Sequence, residues 1–479
     1  MTPVPLRTKL AYGAGAIAYG IKDNGYSVFL LLFYNQVVGL PAEQVGFIIG
    51  LALVFDAFID PLIGHFSDRT NTRWGRRHPW LYASALPIAL SWLMLWHPPE
   101  GTPQTVLGYL LIVAIVTRAA IATNEVPSLA MAPEITRDYH ERTLVLRFRF
   151  LFGWAGGLAM LMAAYGFFLA PPRGALSGPL AFEGYAAYGL AGALVMAGSV
   201  LVSAIGTHKL LAHPPASRIE KKPFSATLGD VRETLSNRAF LILMLAGLFG
   251  YTNQGIGFAM SNYNLTYVWQ FGASELLFYS LSLLGGAFAI FLAIGPIAAR
   301  LGKKNAAAGL VFCGTLLTGS PYVLRLAGLF PTPGDPALLP TFLLLNTTGT
   351  ALGIGAMILG ASMMSDVVEA SEERTGRREE GLFFAGALFM QKCSGGVGIF
   401  VTGLILATAE FPRAAQPGRV PEAVLDSYTA LLVGVTTVIA ACAAFAFSRF
   451  PFGRAEHEAR LAKLAVAAGP GEAEGGGKA

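Results

Sequence analysis

Apolar runs too long for a water-soluble interior dominate the chain. Gly46 to Phe55, Leu107 to Thr117 and Ala430 to Phe447 each form all or part of a segment near the ~20 residues a helix needs to cross ~30 Å of hydrocarbon. In lipid every backbone polar group must be satisfied internally, which leaves helices or a closed barrel. The runs show no period-two alternation, so the expectation is an all-α membrane protein rather than a barrel. Composition agrees: 54% of the 479 residues are hydrophobic and 13% charged, about half the charged share of a soluble domain.

Turn and charge breaks divide the chain into twelve expected spans, at roughly 10–36, 43–66, 80–97, 106–132, 145–170 and 184–206, then 238–268, 275–299, 306–329, 337–365, 380–410 and 426–448. The polar stretch between the sixth and seventh holds His213-Pro-Pro, Lys221-Lys222-Pro and a short amphipathic segment from Ser225 to Asn237, and reads as a linker. The expected organisation is an N-terminal six-helix bundle (1–206), a cytoplasmic linker (207–237), a C-terminal six-helix bundle (238–449) and a largely disordered cytoplasmic tail (450–479). About 25 Lys and Arg fall on the side of the termini and linker, against about four (Arg173, Arg325, Arg413, Arg419) on the other, so both termini are expected in the cytoplasm.

The net charge of +5 is spread as this topology signal rather than as a nucleic-acid patch. The first apolar stretch is interrupted by Lys22 and Asp23 and continues to about Asn35, which makes it a span and not a cleavable signal. Cys313, Cys393 and Cys442 lie far apart in apolar stretches and read as small buried hydrophobes. No nucleotide motif, metal-ligand spacing or nucleophile triad is present, so neither an enzyme nor a bound cofactor is expected. Gly353-Ile-Gly and Gly395-Gly-Val-Gly lie within spans, where close helix packing accounts for them.

The halves echo each other. Gly64-His-Phe-Ser-Asp-Arg, with the basic loop Arg73-Trp-Gly-Arg-Arg, follows the second span, and Gly295-Pro-Ile-Ala-Ala-Arg-Leu-Gly-Lys-Lys follows the eighth. A repeat at about half the chain length is the mark of a duplicated transporter whose bundles face each other across a central cavity.

Ionisable residues at membrane depth cost at least ~2.5 kcal/mol each at a helix centre and are tolerated mainly in a bundle interior or wet cavity. They are Lys22, Asp23, Asp56, Asp60, Arg118, Glu125, Arg147, Arg149 and Lys392. Asp56 and Asp60, at i and i+4, share one helix face. Two close anions require a counter-charge, whether sodium, a shared proton or a basic side chain, and a pair that exchanges these is a basis for coupling; a static salt-bridge network is the alternative. Asp23, beside Lys22 and near Tyr19 and Tyr26, offers a carboxylate and aromatic rings of the kind that line sugar sites, unless it merely pairs with Lys22. Arg118, Ala122 and Glu125 lie on one stripe, so Glu125 either binds solute or is neutralised by Arg118. Arg147 is expected to snorkel and Arg149 to face the cavity. Lys392, the single charge at depth in the second half, calls for a partner across the interface, with Asp56 the economical choice.

These residues resemble those of the glycoside-pentoside-hexuronide:cation symporters of the major facilitator superfamily, the melibiose-permease-like transporters. The matching pieces are Lys22-Asp23, Asp56-Ala-Phe-Ile-Asp60-Pro-Leu-Ile-Gly, Arg73-Trp-Gly-Arg-Arg-His-Pro-Trp, Glu125-Val-Pro127, Glu141-Arg-Thr, Leu144-Val-Leu-Arg-Phe-Arg149-Phe and Lys392 with its glycines. The resemblance implies alternating access by two rocking bundles. It implies sugar held at the positions of Asp23, Glu125 and Arg149; Lys22, Tyr26 and Arg118 are further candidates for binding the solute on the reading of the residues. It further implies sodium, lithium or a proton at Asp56 and Asp60, charge-coupled to Lys392. Gly64, Asp68, Arg69, Arg73, Arg76 and Arg77 are the expected conformational gate. The chain departs from the melibiose permease at Ile59 and Ala122, which replace oxygen ligands of the cation, at Leu129, which replaces a tryptophan near the sugar, and at Arg118, an added charge. The proton gains as the coupling ion, and an acidic sugar would give Arg118 a partner.

The expected function is therefore H+- or Na+-coupled symport of a sugar, glycoside or uronide across the inner membrane by a protein working as a monomer. A lysolipid or other amphiphile symporter on the same fold is the alternative, and a non-transporting membrane sensor or enzyme a third reading. The one metal site considered is sodium at Asp56 and Asp60.

Overall fold

A computed structural model describes residues 4–136, 139–170, 180–211, 235–375 and 380–452. Among the described residues there are no strands, and the chain forms twelve helical rods. Rod α1 covers 6–37 in five consecutive pieces, from Leu6–Ala14 to the π-helical turn Phe33–Val37. Then come α2 (Ala42–Arg69), α3 (His78–Leu95) and α4 (Pro103–Ala130). Rod α5 is Tyr139–Ala163 with the π turn Ala164–Phe168, and α6 is Phe182–Leu211. In the second half α7 is Arg238–Tyr263 with the π turn Asn264–Val268, followed by α8 (Ala273–Leu301), α9 (Lys303–Leu326), α10 (Leu338–Thr375), α11 (Glu380–Thr408) and α12 (Glu422–Ser448). Ten of these helices are long and apolar enough to cross a membrane. The two that fall short are α1, which is broken into pieces and carries Lys9, Lys22 and Asp23, and α3, which carries His78, Pro79 and Pro87.

Several rods outrun their apolar stretches. α6 continues past 206 to Leu211, and α10 past 365 to Thr375 through Asp366, Glu369 and Glu372. Hydropathy marks where lipid contact ends, whereas the helix continues into water wherever good helix formers follow. The amphipathic segment expected from Ser225 lies outside the described residues up to 234, and so does the tail from 453 onward. Asn237 caps α7 by accepting hydrogen bonds from the backbone N–H groups of Ala239 and Phe240 at 3.0 and 3.2 Å. The cysteines depart from expectation: Cys313 is exposed on its rod and Cys393 and Cys442 are half-buried. A small apolar side chain is equally at home against lipid, so burial in protein was not required of it.

The packing repeats with a shift of six rods. α1 packs on α5 and α6 as α7 packs on α11 and α12; α2 on α4 as α8 on α10; α3 on α4 and α6 as α9 on α10 and α12. The ends of α1 and α7 also match. Val38 N–H donates to Phe33 O and Leu40 N–H to Tyr34 O, and in α7 Trp269 N–H donates to Asn264 O and Phe271 N–H to Leu265 O. The same backbone hydrogen bonds thus close both rods with a widened turn.

The halves meet chiefly where α2 lies along α11, with smaller contacts of α1 on α7 and α5 on α8. Glycine permits the α2–α11 approach: a Cβ placed on Gly50 would stand 2.7 Å from Gly396 O, and one on Gly396 would stand 2.7 Å from Gly50 O. Close backbones of this kind are how membrane helices associate without a hydrophobic drive. The contact positions Asp56 and Asp60 against Lys392.

Candidate functional site

All the ionisable residues at depth but Arg147 gather in one charged cluster drawn from five rods. Lys22 on α1 reaches Asp23 Oδ1 at 3.1 Å and Glu125 Oε2 on α4 at 3.0 Å. Arg118 on α4 reaches Asp56 Oδ2 on α2 at 2.8 Å, and Lys392 on α11 reaches that same oxygen at 2.9 Å while also donating to Asp60 Oδ2. Arg149 on α5 donates to Ser128 Oγ at 2.7 Å. Each cation is thereby anchored, as groups at membrane depth must be.

Two pairings differ from the sequence-based expectation. Glu125 is neutralised by Lys22 rather than by Arg118. Arg118 belongs to Asp56 and therefore needs no acidic solute as its partner. The i, i+7 stripe put Arg118 and Glu125 on one face of α4, but nearly two helical turns separate them along the axis, about 10.5 Å. Each instead turns to the charge presented at its own level by a neighbouring rod. The Lys22–Asp23 neighbour pair does form, because the lysine stem is long enough to serve Asp23 and Glu125 together.

The aromatic rings also differ. Tyr26 is buried, donates to Ala114 O at 2.8 Å and lies 5.0 Å from the Arg118 guanidinium. Tyr19 is buried too, donates to Asn124 Oδ1 at 2.5 Å, and lies 4.8 Å from the Arg149 guanidinium. These rings face cations, a cation–π arrangement favoured when water is excluded, and so are not free to stack on a pyranose. Sequence reasoning passed over Asn124, Ser84 and Ser128, which join this network: Asn124 Nδ2 donates to Ser84 Oγ at 2.9 Å. The signal was available, since Asn124 is a polar residue at depth beside Glu125, but a search for charges alone skips it.

Exposure differs widely within the cluster. The side chains of Lys22 and Arg118 are 4% and 3% exposed, whereas Asp23 is 67% and Glu125 and Asp60 are each 29% exposed. Asp56 is as buried as Arg118, at 3%, and Lys392 is 19% exposed, so the reachable carboxylates are Asp23, Glu125 and Asp60. Arg147 is exposed and Arg149 buried.

At the Val37 end of α1 the halves are tied across the central space. Asn262 Nδ2 donates to Val28 O at 2.8 Å and accepts from Tyr165 OH at 2.7 Å. Tyr263 OH donates to Asn35 Oδ1 at 2.8 Å, Tyr267 OH to Gln36 Oε1 at 3.0 Å, and Gln36 Nε2 to Pro412 O at 3.1 Å. These groups are buried and mutually satisfied, so that end is closed.

Of the expected gate, Asp68 and Arg77 pair at 2.5 Å, and Arg76 and Arg77 both reach Glu134 Oε1, at 3.1 and 3.2 Å. Ser67 completes the set by accepting from Arg77 Nη1 at 2.8 Å. Gly75, with φ of 77°, makes the turn that returns the chain to Arg77. Arg69 and Arg73 are exposed, with Arg73 over the Trp74 ring at 5.3 Å. A Cβ on Gly64 would meet Val126 at 3.6 Å, an ordinary contact.

A family model described as "MFS/sugar transport protein" matches residues 11–454. Among curated proteins, a putative glycoside/cation symporter of Escherichia coli (strain K12), YagG, is 27% identical over 92% of this chain and 90% of its own length. The isoprimeverose transporter of Lactiplantibacillus pentosus is 24% identical over 89% of this chain and 85% of its own. Among solved structures, the inward-open xylose transporter XylE from E. coli covers 95% of this chain and 98% of its own, with a TM-score of 0.61 at 14% identity, a likeness of fold.

Proposed function

We infer that this chain, which belongs to the MFS/sugar transport protein family, imports a neutral sugar or glycoside together with a proton by alternating access. The observation that carries this reading is the accessibility of Asp23, Glu125 and Asp60 in front of the buried, already paired Lys22 and Arg118. Accessible carboxylates accept hydrogen bonds from several hydroxyls at once, whereas the cations behind them already have partners within the protein and would lose these to a solute that brought its own negative charge. Relatives named for glycosides and isoprimeverose agree with a sugar as cargo. The expected uronide is disfavoured, because no guanidinium or ammonium of the cluster is both free and accessible.

The coupling ion follows from the crowding at Asp56. Arg118 and Lys392 already stand at ion-pair distance from its Oδ2, and Ile59 and Ala122 bring no side-chain oxygen, so a sodium ion would have to displace a tethered cation. A proton has no such competitor. Asp60 is its proposed acceptor, since it is the more exposed acid of the pair and its Oδ1 has no hydrogen-bond partner among the described residues. Protonation of Asp60 removes one of the two carboxylates holding Lys392, which loosens α11 on α2 and frees the halves to rock. The layer at the Val37 end is then the closed outer gate, and Asp68, Arg76 and Arg77, with Gly64 behind them, brace the cytoplasmic ends.

The same reading has both termini cytoplasmic, the protein working as a monomer in the inner membrane, and the six-helix bundles joined through the segment 207–237. Uptake into proteoliposomes across a panel of neutral glycosides and uronides tests it. Accumulation should follow an inward proton gradient and disappear in Asp56→Asn. Accumulation under a sodium gradient alone, or none under either gradient, would overturn the coupling assignment.

A further inference from the structure

Apart from the central cluster, a crevice of about 480 Å³ opens where the start of α7, the start of α9 and the end of α12 come together. Its rim carries Arg238, Lys304 and Arg449, one cation from each rod, and no acidic side chain among the described residues lines it. None of the three has an ion-pair partner among the described residues. Their neighbour Lys303 is by contrast satisfied by Asp366 at 2.7 Å. Three convergent cations at one crevice repel one another unless an anion sits between them.

The walls are apolar. Ile242 and Leu245 of α7 and Phe445 of α12 continue from the cationic rim along the outside of the rods, with Leu245 47% and Phe445 60% exposed, and Phe445 carries the Arg449 guanidinium over its ring at 4.7 Å. The crevice lies at the rod ends that share a side with Leu6, where the chain leaves the apolar band. A ligand that fits both parts has a negative head at the interface and acyl chains along the helices.

We propose that the crevice formed by Arg238, Lys304 and Arg449 is a binding site for the phosphate headgroup of an anionic phospholipid, which clasps the ends of α7, α9 and α12. The two arginines offer forked donors to phosphate oxygens and Lys304 a point charge. Basic pockets between membrane helices take such headgroups on general electrostatic grounds. The site shares no residue with the solute cluster and stands independently of the proposed cargo.

The test is lipid binding to the purified full-length protein by native mass spectrometry, comparing phosphatidylglycerol with phosphatidylcholine of the same acyl chains, with inorganic phosphate as a separate arm. Phosphatidylglycerol should be preferred by on the order of a hundredfold, about fivefold for each cation. The triple variant Arg238→Gln/Lys304→Gln/Arg449→Gln should bind the two lipids nearly equally. Should the triple variant fail to fold, each single substitution should reduce the preference about fivefold. Equal binding of the two lipids by the wild type, or an undiminished preference in the variants, would overturn the proposal. So would tight binding of inorganic phosphate without any lipid preference, which would mark a soluble anion as the occupant.

Discussion

Arg118 and Lys392 approach the same oxygen of Asp56, Oδ2, from opposite halves of the molecule, at 2.8 and 2.9 Å. One carboxylate oxygen thereby joins α4 and α11 through α2. Arg118 comes from within the first half, so the proposed rocking of the halves leaves its contact in place and breaks that of Lys392. Asp56 thus holds a permanent counter-ion and a conditional one.

Replacing Arg118 by Gln removes the permanent counter-ion. Loss of one partner of a buried pair costs about 3 kcal/mol, so the purified variant should melt at a lower temperature. It should also become sensitive to sodium: sodium chloride, compared with potassium chloride, should stabilise the variant and leave the wild type unchanged. A wild type already stabilised by sodium would mean that Arg118 does not occupy the cation's place.

Asp60 and Lys392 should behave as an interacting pair across the halves. Asp60→Asn and Lys392→Gln should each lower stability, and the double variant should lower it by less than their sum, with a coupling of about 1–2 kcal/mol in a double-mutant cycle. Additive effects would show that the contact carries no energy.

The α2–α11 approach depends on the missing side chain at Gly50. Gly50→Ala drives a methyl into the backbone oxygen of Gly396 and should cost about 1–3 kcal/mol, as overpacking does, with uptake lost in parallel. Gly108→Ala, where a Cβ meets nothing within 4 Å, is the matched control and should transport normally.

The closed end should open when its polar layer is removed. Gln36 accepts from Tyr267 OH and the Ala415 N–H and donates to Pro412 O, so Gln36→Ala leaves the buried Ala415 N–H without its acceptor, at about 1–3 kcal/mol for an unsatisfied group, and removes two further ties of the layer. The population should shift toward the conformer open at that end. A cysteine introduced at Ala415 and labelled with a membrane-impermeant thiol reagent should react faster in the variant; an unchanged rate would remove this layer from the gate.

The sequence by itself determined the membrane, the helices and the duplication. Apolar length, the lack of alternation and the echo between Gly64 and Gly295 are local properties, and the packing repeats every six rods as that echo requires. The sequence also named nearly every member of the charged cluster, because an ionisable residue at depth is conspicuous in one dimension, and it paired Lys392 with Asp56 because no other lone cation at depth lay in the second half. Which of the remaining partners met was decided by the tertiary structure alone. Spacing along α4 put Arg118 and Glu125 on one face, but their partners, Asp56 and Lys22, are set by the level at which α2 and α1 cross α4. The same crossings bury Tyr19 and Tyr26 under guanidinium groups. They also leave Asp23, Glu125 and Asp60 accessible while burying Asp56 with Arg118, an ordering in depth that no linear pattern encodes, since it arises only when rods from distant parts of the chain enclose a common space.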